Sequence, residues 1–435
     1  MKTSIVWFRT DLRLHDNETL VKAIEHSDEI IPVYCFDESH FKTTDFGFKK
    51  TGNFRAQFLL ESLADLDKNL RALGSGLIIV RGKPEYELFK TVQKYKAQKI
   101  FCKKEVAFEE KKTQELVEKE VWKIHCSLET CSTSTLYYAQ DFPFALKDIP
   151  DVFTNFRKRI EKEANVSEVF LKPNTIKSPV IEELCLPLIE ELGLHSITKD
   201  CRAAINFKGG ETEGYKRLNH YFFEAKAIAT YKETRNGMIG ESYSTKFSAW
   251  LSLGCLSPRE IYSELKKYES QFTPNESSYW LEFELLWRDY FRFMMKKHAN
   301  KFFQQAGIKA KTDNLHKHNN ELLYTWIKGE TGDDFIDANM IELKLTGFMS
   351  NRGRQNVASY LCNNLKLDWR YGAAYFEQQL IDYDVCSNWG NWAYLAGVGN
   401  DPRGNRTFNF EKQANEYDKS KKYRNMWLIS GTELK

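Results

Sequence analysis

The chain has 435 residues, enough for two or three domains with sizeable cores, and its net charge of +3 is too small to define a partner. No apolar run is long enough to span a bilayer. Nine scattered cysteines, an odd number, fit reduced thiols in a cytoplasmic protein, and Cys126 and Cys131 lack the second pair a zinc site needs. The opening MKTSIVWFRTDLR enters a strand-like segment at once and reads as neither a signal nor a transit peptide.

Ser4 to Phe8 reads as a buried strand, Asn17 to Ser27 as a capped amphipathic helix and Glu29 to Phe36 as a second strand. Phe54 to Leu73 predicts a helix, Gly76 to Gly82 a third strand, and Pro84 opens another helix. KIFCKK reads as a fourth strand, Glu109 to Glu120 as a charged helix, and VWKIHCSL as the strand after it. Such alternation predicts an α/β N-terminal domain with a doubly wound parallel sheet, residues 1–130. RTDLRLHDN follows the first strand in place of G-x-G-x-x-G, and no Walker loop occurs, which argues against the ordinary dinucleotide and P-loop sites. Arg9, Asp11 and Arg13 read as a surface ion-pair cluster.

Residues 131–205 read as a long connector, with helical pieces at Val152 to Glu163 and Ile181 to Leu192. From 206 to 435 the pattern is all-α: Glu211–Thr234, Thr245–Ser252, Pro258–Tyr268, Ser277–His298, Glu321–Lys328, Phe335–Leu345, Arg354–Asn363, Ala373–Ile381 and a last helix around Cys386.

Four stretches of this half carry chemistry. Tyr243 to Ser248 (YSTKFS) puts hydroxyls and a cation at a helix start, which suits either a phosphate or a plain cap. WLEFELLWRDYFR places Glu284 and Arg288 at i, i+4 beside Trp287, as in a helical ion pair. FMSNRGRQN gathers Asn351, Arg352, Arg354 and Gln355 on one polar turn. LIDYDVCSNWGNWAY puts Asp384, Asn388 and Trp392 on one helical face, where acid, amide and indole suit a large flat ligand with a polar edge. Together, a diphosphate subsite, an Arg354–Asp pair and packed indoles fit flavin adenine dinucleotide.

These stretches, with TSIVWFRTDLRLHDN, YKETRNGMIGESYSTKFSAWLSLGCLSPR, TGDDFIDANM, NRGRQNVASYL and FNFEKQANEYD, resemble the photolyase/cryptochrome family, and above all its cryptochrome DASH branch. The resemblance implies an α/β domain joined to an all-α FAD-binding domain. It assigns Tyr231, Ser244, Thr245, Lys246, Phe247 and Ser248 to the cofactor phosphates, and Arg354 with Asp382 to an ion pair over the flavin. Asp384 matches the acid at the flavin N3/O4 edge and Asn388 the residue facing N5. Arg288 and Asn351 complete the cofactor set. Trp392 and Trp369 match the first two members of an electron path, while His316 stands where a third Trp is usual.

For substrate, the resemblance gives Trp287 and Tyr394 as the walls of a lesion pocket, with Glu284, Asn351 and Gln355 as its polar groups and Arg403 and Arg406 on its rim. Between Arg403 and Arg424, seven Lys or Arg against three acids fit a phosphate-contacting rim or a solvated, disorder-prone tail. The His pair of six-four photolyases is missing. A folate antenna (methenyltetrahydrofolate) is implied, with Glu109 as a contact, although Phe108 departs from the usual polar neighbour. No long extension follows Lys435, which argues against tail-driven signalling. The expected activity is blue-light splitting of cyclobutane pyrimidine dimers, mainly in single-stranded DNA, with looped duplex or RNA as further partners. The alternative is a photoreceptor without repair. The protein is expected to be a cytoplasmic monomer that leaves membranes alone.

Overall fold

The structure, a computed structural model, describes residues 2–310, 316, 318–403 and 407–429. Five strands form one parallel sheet: β1 (Thr3–Phe8), β2 (Glu29–Asp37), β3 (Ile78–Gly82), β4 (Lys99–Lys103) and β5 (Ser127–Cys131). Their order is β3-β2-β1-β4-β5, with Ile5 opposite both Ile31 and Ile100. Alternate residues bury on opposite faces, so the central strands are apolar throughout. Val6, Phe8 and Phe36 pack with Leu20 of α1 (Glu18–His26) and Leu63 of α2 (Asn53–Arg71). Ile5, Trp7 and Val33 pack with Leu88 of α3 (Pro84–Tyr95) and Val117 of α4 (Phe108–Trp122). Helices on both faces make the sheet doubly wound. The winding reverses at β1, which leaves a crevice beyond the carboxyl ends of β1 and β4.

The helical part comprises α5 (Phe153–Glu163), α6 (Glu211–Asn219), α7 (Tyr231–Thr234), α8 (Ser248–Ser252), α9 (Pro258–Gln271), α10 (Glu276–His298), α11 (Asn320–Lys328), α12 (Asp334–Thr346), α13 (Asn351–Ser359), α14 (Trp369–Gln379), α15 (Val385–Leu395), α16 (Phe410–Tyr417) and α17 (Lys422–Leu428). The long α10 packs against α5, α7, α9 and α15, and α14 lies against α15. Among the described residues no helix is long and apolar enough to cross a membrane, and no cluster could hold a metal ion. All nine cysteines are free thiols.

Several expectations are corrected. The strand expected at VWKIHCSL begins only at Ser127, because Val121 is still helical and buried and His125 turns the chain at φ 59°. The helical piece at 181–192 shrinks to a 3-10 turn, Ile189–Leu192, since Pro187 removes a donor and restricts Leu186. The helix expected over 211–234 breaks at Lys226, φ 50°.

Arg13 and Asp11 are not on the surface. Arg13 is buried and donates to the carbonyls of His15, Asp16, Thr133 and Gly254, which ties the first βα loop to the helical part. Gly254 (φ 68°) has to be glycine, because a Cβ there would lie 2.2 Å from the Thr10 carbonyl. The disorder-prone tail is likewise corrected for residues 407–429. Tyr423 and Trp427 bury against α12, and Asp418 holds Arg424 at 3.0 Å.

Candidate functional site

Two cavities sit on either side of Asp384 and share it in their walls. The larger, about 1610 Å³ with an opening to solvent, is built by α7, the α8 turn, α10, α13 and α15. A narrower extension of about 550 Å³ runs from it along α13 to α15, past Asn388 and Trp392.

The inner wall is polar. Arg354 on α13 reaches across to Asp382, with Nη2 donating to both carboxylate oxygens at 3.0 and 2.9 Å. Its Nε donates to the Met349 carbonyl at 2.9 Å, which with the Asp382 contacts fixes the guanidinium. Asp384 caps α15 by accepting from the Ser387 N–H at 2.8 Å. Burial pushes its carboxyl up, but Arg288, Arg292 and the Ser387 N–H outweigh this and hold it below the ordinary range. Arg288 is braced by the Ser134 and Leu251 carbonyls. Asn388, one turn after Asp384, donates its amide N–H to the Ala373 carbonyl at 3.0 Å. A carbonyl can only accept, so the Asn388 Oδ1 is the atom left for a ligand donor.

The outer wall is aromatic. Trp287 stacks on Phe153 of α5 at 3.6 Å and 13°, and Tyr394 stands at right angles to it, 6.0 Å away. Glu284 is paired with Arg235, Nη1 to Oε1 2.5 Å. Burial raises the Glu284 carboxyl while Arg235 pulls it down; the net direction is up. Arg403 lies at the mouth, 3.4 Å from the Tyr394 hydroxyl.

Tyr231, Thr245, Phe247 and Ser248 therefore line this cavity, together with Arg288, Asn351, Arg354, Asp382 and Asp384, and with Glu284, Trp287, Gln355, Tyr394 and Arg403; Asn388 and Trp392 line its extension. Lys246 and Ser244 stand apart. The Lys246 ammonium lies 3.4 Å over the Tyr243 ring and donates to the Glu241 carbonyl, and burial together with Arg217 pushes it down to about 6. The Ser244 carbonyl accepts from Arg217. Arg406 lies outside the described residues. Glu109 is on the surface, paired with Lys50, whose side chain lines the second cavity.

Trp392 is buried against Phe376 (5.1 Å) and Trp326 (6.2 Å). A Cβ on Gly372 would lie 2.3 Å from its ring, so glycine is what lets the indole lie across α14. Trp369 meets Trp389 edge-on at 5.8 Å, and its Nε1 donates to the Gln305 carbonyl. The Gln305 amide in turn donates to the His316 carbonyl. Tyr371 stacks on His318, and Tyr375 packs on Phe48 and Trp326.

Sequence reasoning missed Arg235, Phe153 and Trp389. Arg235 follows Tyr231 by four residues, a helical spacing that was legible. Phe153 and Trp389 show no local signal, because their roles depend on which rings they meet.

A parallel sheet joined to a helical half, with a cavity bearing an Arg–Asp pair at one wall and aromatic rings at the other, is the architecture of the photolyases and cryptochromes. The DNA photolyase pattern matches residues 4–176, and the FAD binding domain of DNA photolyase matches residues 280–435. The chain is 48% identical to the cryptochrome DASH of Danio rerio over 98% of its length and 83% of that protein's. It is 45% identical to the solved Synechocystis sp. PCC6803 cryptochrome, with a TM-score of 0.96 over 100% of this chain and 90% of that one. An archaeal photolyase from Sulfolobus tokodaii, solved with two FAD molecules, matches at 26% identity and TM-score 0.81 over 99% and 91% of the two chains. The chain belongs to the photolyase/cryptochrome family, within its cryptochrome DASH branch.

Proposed function

We propose that the protein splits cyclobutane pyrimidine dimers in blue light, mainly in single-stranded DNA. The observation that carries this is the continuity of one cavity from a flavin-type wall to a lesion-type wall: Arg354, Asp382, Asp384 and Asn388 within, Trp287, Tyr394 and Glu284 at the mouth. FAD fits the inner part. Asp384 would accept from an imide N–H, Asn388 Oδ1 would accept from a ring N–H, and the Arg354–Asp382 pair would hold the ring system between them. Thr245 and Ser248 supply hydroxyls for its phosphates. When bound and reduced, FAD supplies an electron on excitation and takes it back.

The protein's own groups do the rest. Trp287, immobilised by Phe153, and Tyr394 grip an extrahelical dimer between two perpendicular rings. Glu284 sits where negative charge develops on the dimer, and burial favours the protonated form of its carboxyl, which can donate a hydrogen bond there. A single strand avoids the cost of unpairing a duplex before the dimer enters. Arg403 supplies a rim contact to phosphate. Trp392 and Trp369 form the inner part of an electron path, and Trp389 extends it beside Trp369. The folate antenna takes the interdomain surface near Glu109 and Lys50.

The test is to illuminate the reduced holoprotein with a dimer-containing single-stranded oligonucleotide and follow recovery of thymine absorbance. Recovery under light alone supports the reading. Dimer binding without recovery favours the photoreceptor alternative.

A further inference from the structure

Trp389 stands beside Trp369 on the indole path and differs from its neighbours in what its N–H meets. The Trp369 Nε1–H donates to the Gln305 carbonyl at 3.0 Å, and the Trp326 Nε1–H to the Val357 carbonyl at 3.0 Å. The Trp389 Nε1–H instead divides between the Tyr383 hydroxyl at 3.2 Å and Glu377 Oε2 at 3.4 Å. Trp389 and Glu377 are each 5% exposed, and Phe303 and Phe46 pack on the indole at 5.1 and 6.2 Å. A peptide carbonyl accepts a hydrogen bond but does not keep the proton. A carboxylate does both.

Glu377 on α14 faces away from the flavin-type cavity. With Tyr383 it lines the second cavity, beyond the sheet, where Lys50, Arg55 and Glu110 also stand. The Arg55 guanidinium lies 4.5 Å over the Tyr383 ring. Burial pushes the Glu377 carboxyl up and Glu110 adds to the rise, while Lys50, Arg55 and the Tyr383 hydroxyl pull it down; the net direction is up. Glu377 is thus a better base than an exposed carboxylate, and it borders a volume into which a proton can leave.

Removing an electron from an indole makes its N–H strongly acidic, because the ring that holds the proton has gained positive charge. A hole that stays on Trp369 has only a carbonyl beside its N–H. A hole that reaches Trp389 meets a base. While the indole is still cationic, the buried negative charge of Glu377 stabilises it.

We propose that Glu377 is the proton acceptor that fixes the oxidised end of the electron path at Trp389. One electron passes from the Trp389 ring to the electron-deficient Trp369 ring, 5.8 Å away. The Trp389 Nε1–H bond then breaks, and the proton forms an O–H bond on Glu377 Oε2. The products are a neutral Trp389 radical, a neutral carboxylic acid and a restored Trp369. The oxidant is an oxidised flavin under blue light. A thiolate in solution later returns one electron to Trp389, and Glu377 gives the proton back. Recombination then has to move a proton as well as an electron, which slows it. This rests on the flavin reading above.

The experiment flashes the oxidised, FAD-loaded protein in mildly alkaline buffer without DNA. Transient absorption in H2O and D2O separates cationic from neutral tryptophan radicals, and light-induced infrared difference spectra follow the carboxyl C=O band. Neither readout depends on repair. The parent is expected to form a neutral tryptophan radical with a solvent deuterium effect and a new carboxylic-acid band. Glu377→Gln keeps the hydrogen bond but cannot hold the proton: the neutral radical should form about tenfold more slowly or worse, and the band should vanish. Glu377→Asp, a shorter base, should fall between the two. Glu110→Gln, which removes another carboxyl acting on Glu377, should keep the band. As pH falls, Glu377 is protonated before the flash, so the parent should decline to the level of Glu377→Gln, whose own profile stays flat. Equal radical kinetics in parent and Glu377→Gln, or a tyrosyl signal in place of the tryptophan one, overturns the inference while leaving the flavin reading intact. A protein that takes up no FAD overturns both. Thermal unfolding reports whether each variant is folded. The deuterium effect and the carboxylic-acid band of the parent keep the test decisive should Glu377→Gln misfold, since their absence also overturns the inference.

Discussion

The cavity beyond the sheet and the cavity in the helical half are neighbours with opposite electrostatic designs. In the sheet-end cavity, of about 1140 Å³, Arg9, Lys50, Arg55, Lys103 and Arg292 face Asp37, Glu105, Glu110, Glu377 and Asp384. Three of these charges close on one another: Lys103 with Glu105 at 3.4 Å, and Arg292 with Glu105 at 3.0 Å. In the helical cavity, pairs such as Arg354–Asp382 and Arg235–Glu284 are set along the wall and leave aromatic faces and single polar atoms turned inward. In the first region the Glu105–Arg292 pair joins the two halves of the molecule; the second uses its charge to orient ligand-facing groups. Buried charge alone therefore does not mark a site; what matters is whether the charges close on each other or on an open volume.

The largest break in this comparison is Arg354→Ala. It leaves the buried Asp382 carboxylate without its partner, and we expect about 3 kcal/mol of lost stability in addition to loss of bound FAD. Denaturant unfolding of the FAD-free protein and the visible spectrum of the purified protein measure the two effects separately. Unchanged FAD content would show that the pair does not orient the cofactor.

Gly372→Ala comes next. The added methyl would meet Trp392 at 2.3 Å, and overpacking of this kind costs about 1–3 kcal/mol. We expect a lower Tm and slower photoreduction of oxidised FAD, because the first indole of the path is displaced. Photoreduction at the parent rate would mean that α14 gives way instead.

Two buried carboxyls, Glu105 in the sheet-end cavity and Glu342 on α12 outside the helical cavity, differ in the sign of their response to pH. Burial pushes the Glu105 carboxyl up, but Lys103 and Arg292 outweigh it and hold it at about 2. Its contribution is present above its ordinary value of 4.5 and is lost as pH falls toward 2. Glu342 on α12, hydrogen-bonded to Tyr423 at 2.5 Å, is pushed up by burial to about 8. The folded state keeps a proton that the unfolded state has released, so its contribution is full below 4.5 and is lost as pH rises to about 8. Tm measured across pH should fall less steeply on the alkaline side in Glu342→Gln and less steeply on the acid side in Glu105→Gln. Identical profiles in parent and variants would rule out both contributions.

The smallest effect concerns the electron path. His316→Trp should speed photoreduction modestly, and Trp389→Phe should slow it, since Trp389 touches Trp369 directly, while the backbone at 316 meets the Gln305 amide, whose residue's carbonyl accepts from Trp369. Repair from chemically reduced protein should not change in either variant. A Trp389→Phe variant as fast as the parent would remove Trp389 from the path.

Much of this protein is set by its sequence alone, where the physics is local. Alternation of apolar strands and amphipathic helices defined the doubly wound sheet, because side-chain periodicity follows from backbone geometry. The spacing of Asp384, Asn388 and Trp392 placed them along one helix before any packing was known, and Asp384 is indeed the cap of α15. Pro187 was a local signal that a helix would not form, and it was overlooked. What only the tertiary structure decided are features set by a partner distant in the chain. Arg13 looks like a surface charge in sequence, yet four carbonyls, one of them from Gly254, make it a buried clamp. Trp287 became a rigid wall because Phe153, 134 residues earlier, stacks on it. Residues 407–429 fold because Tyr423 and Trp427 find α12. Gln355 acquired one orientation only when Asn236 and Tyr417 fixed Arg352 above it. Desolvation and hydrogen-bond polarity depend on which groups are brought together, and the one-dimensional pattern does not contain that.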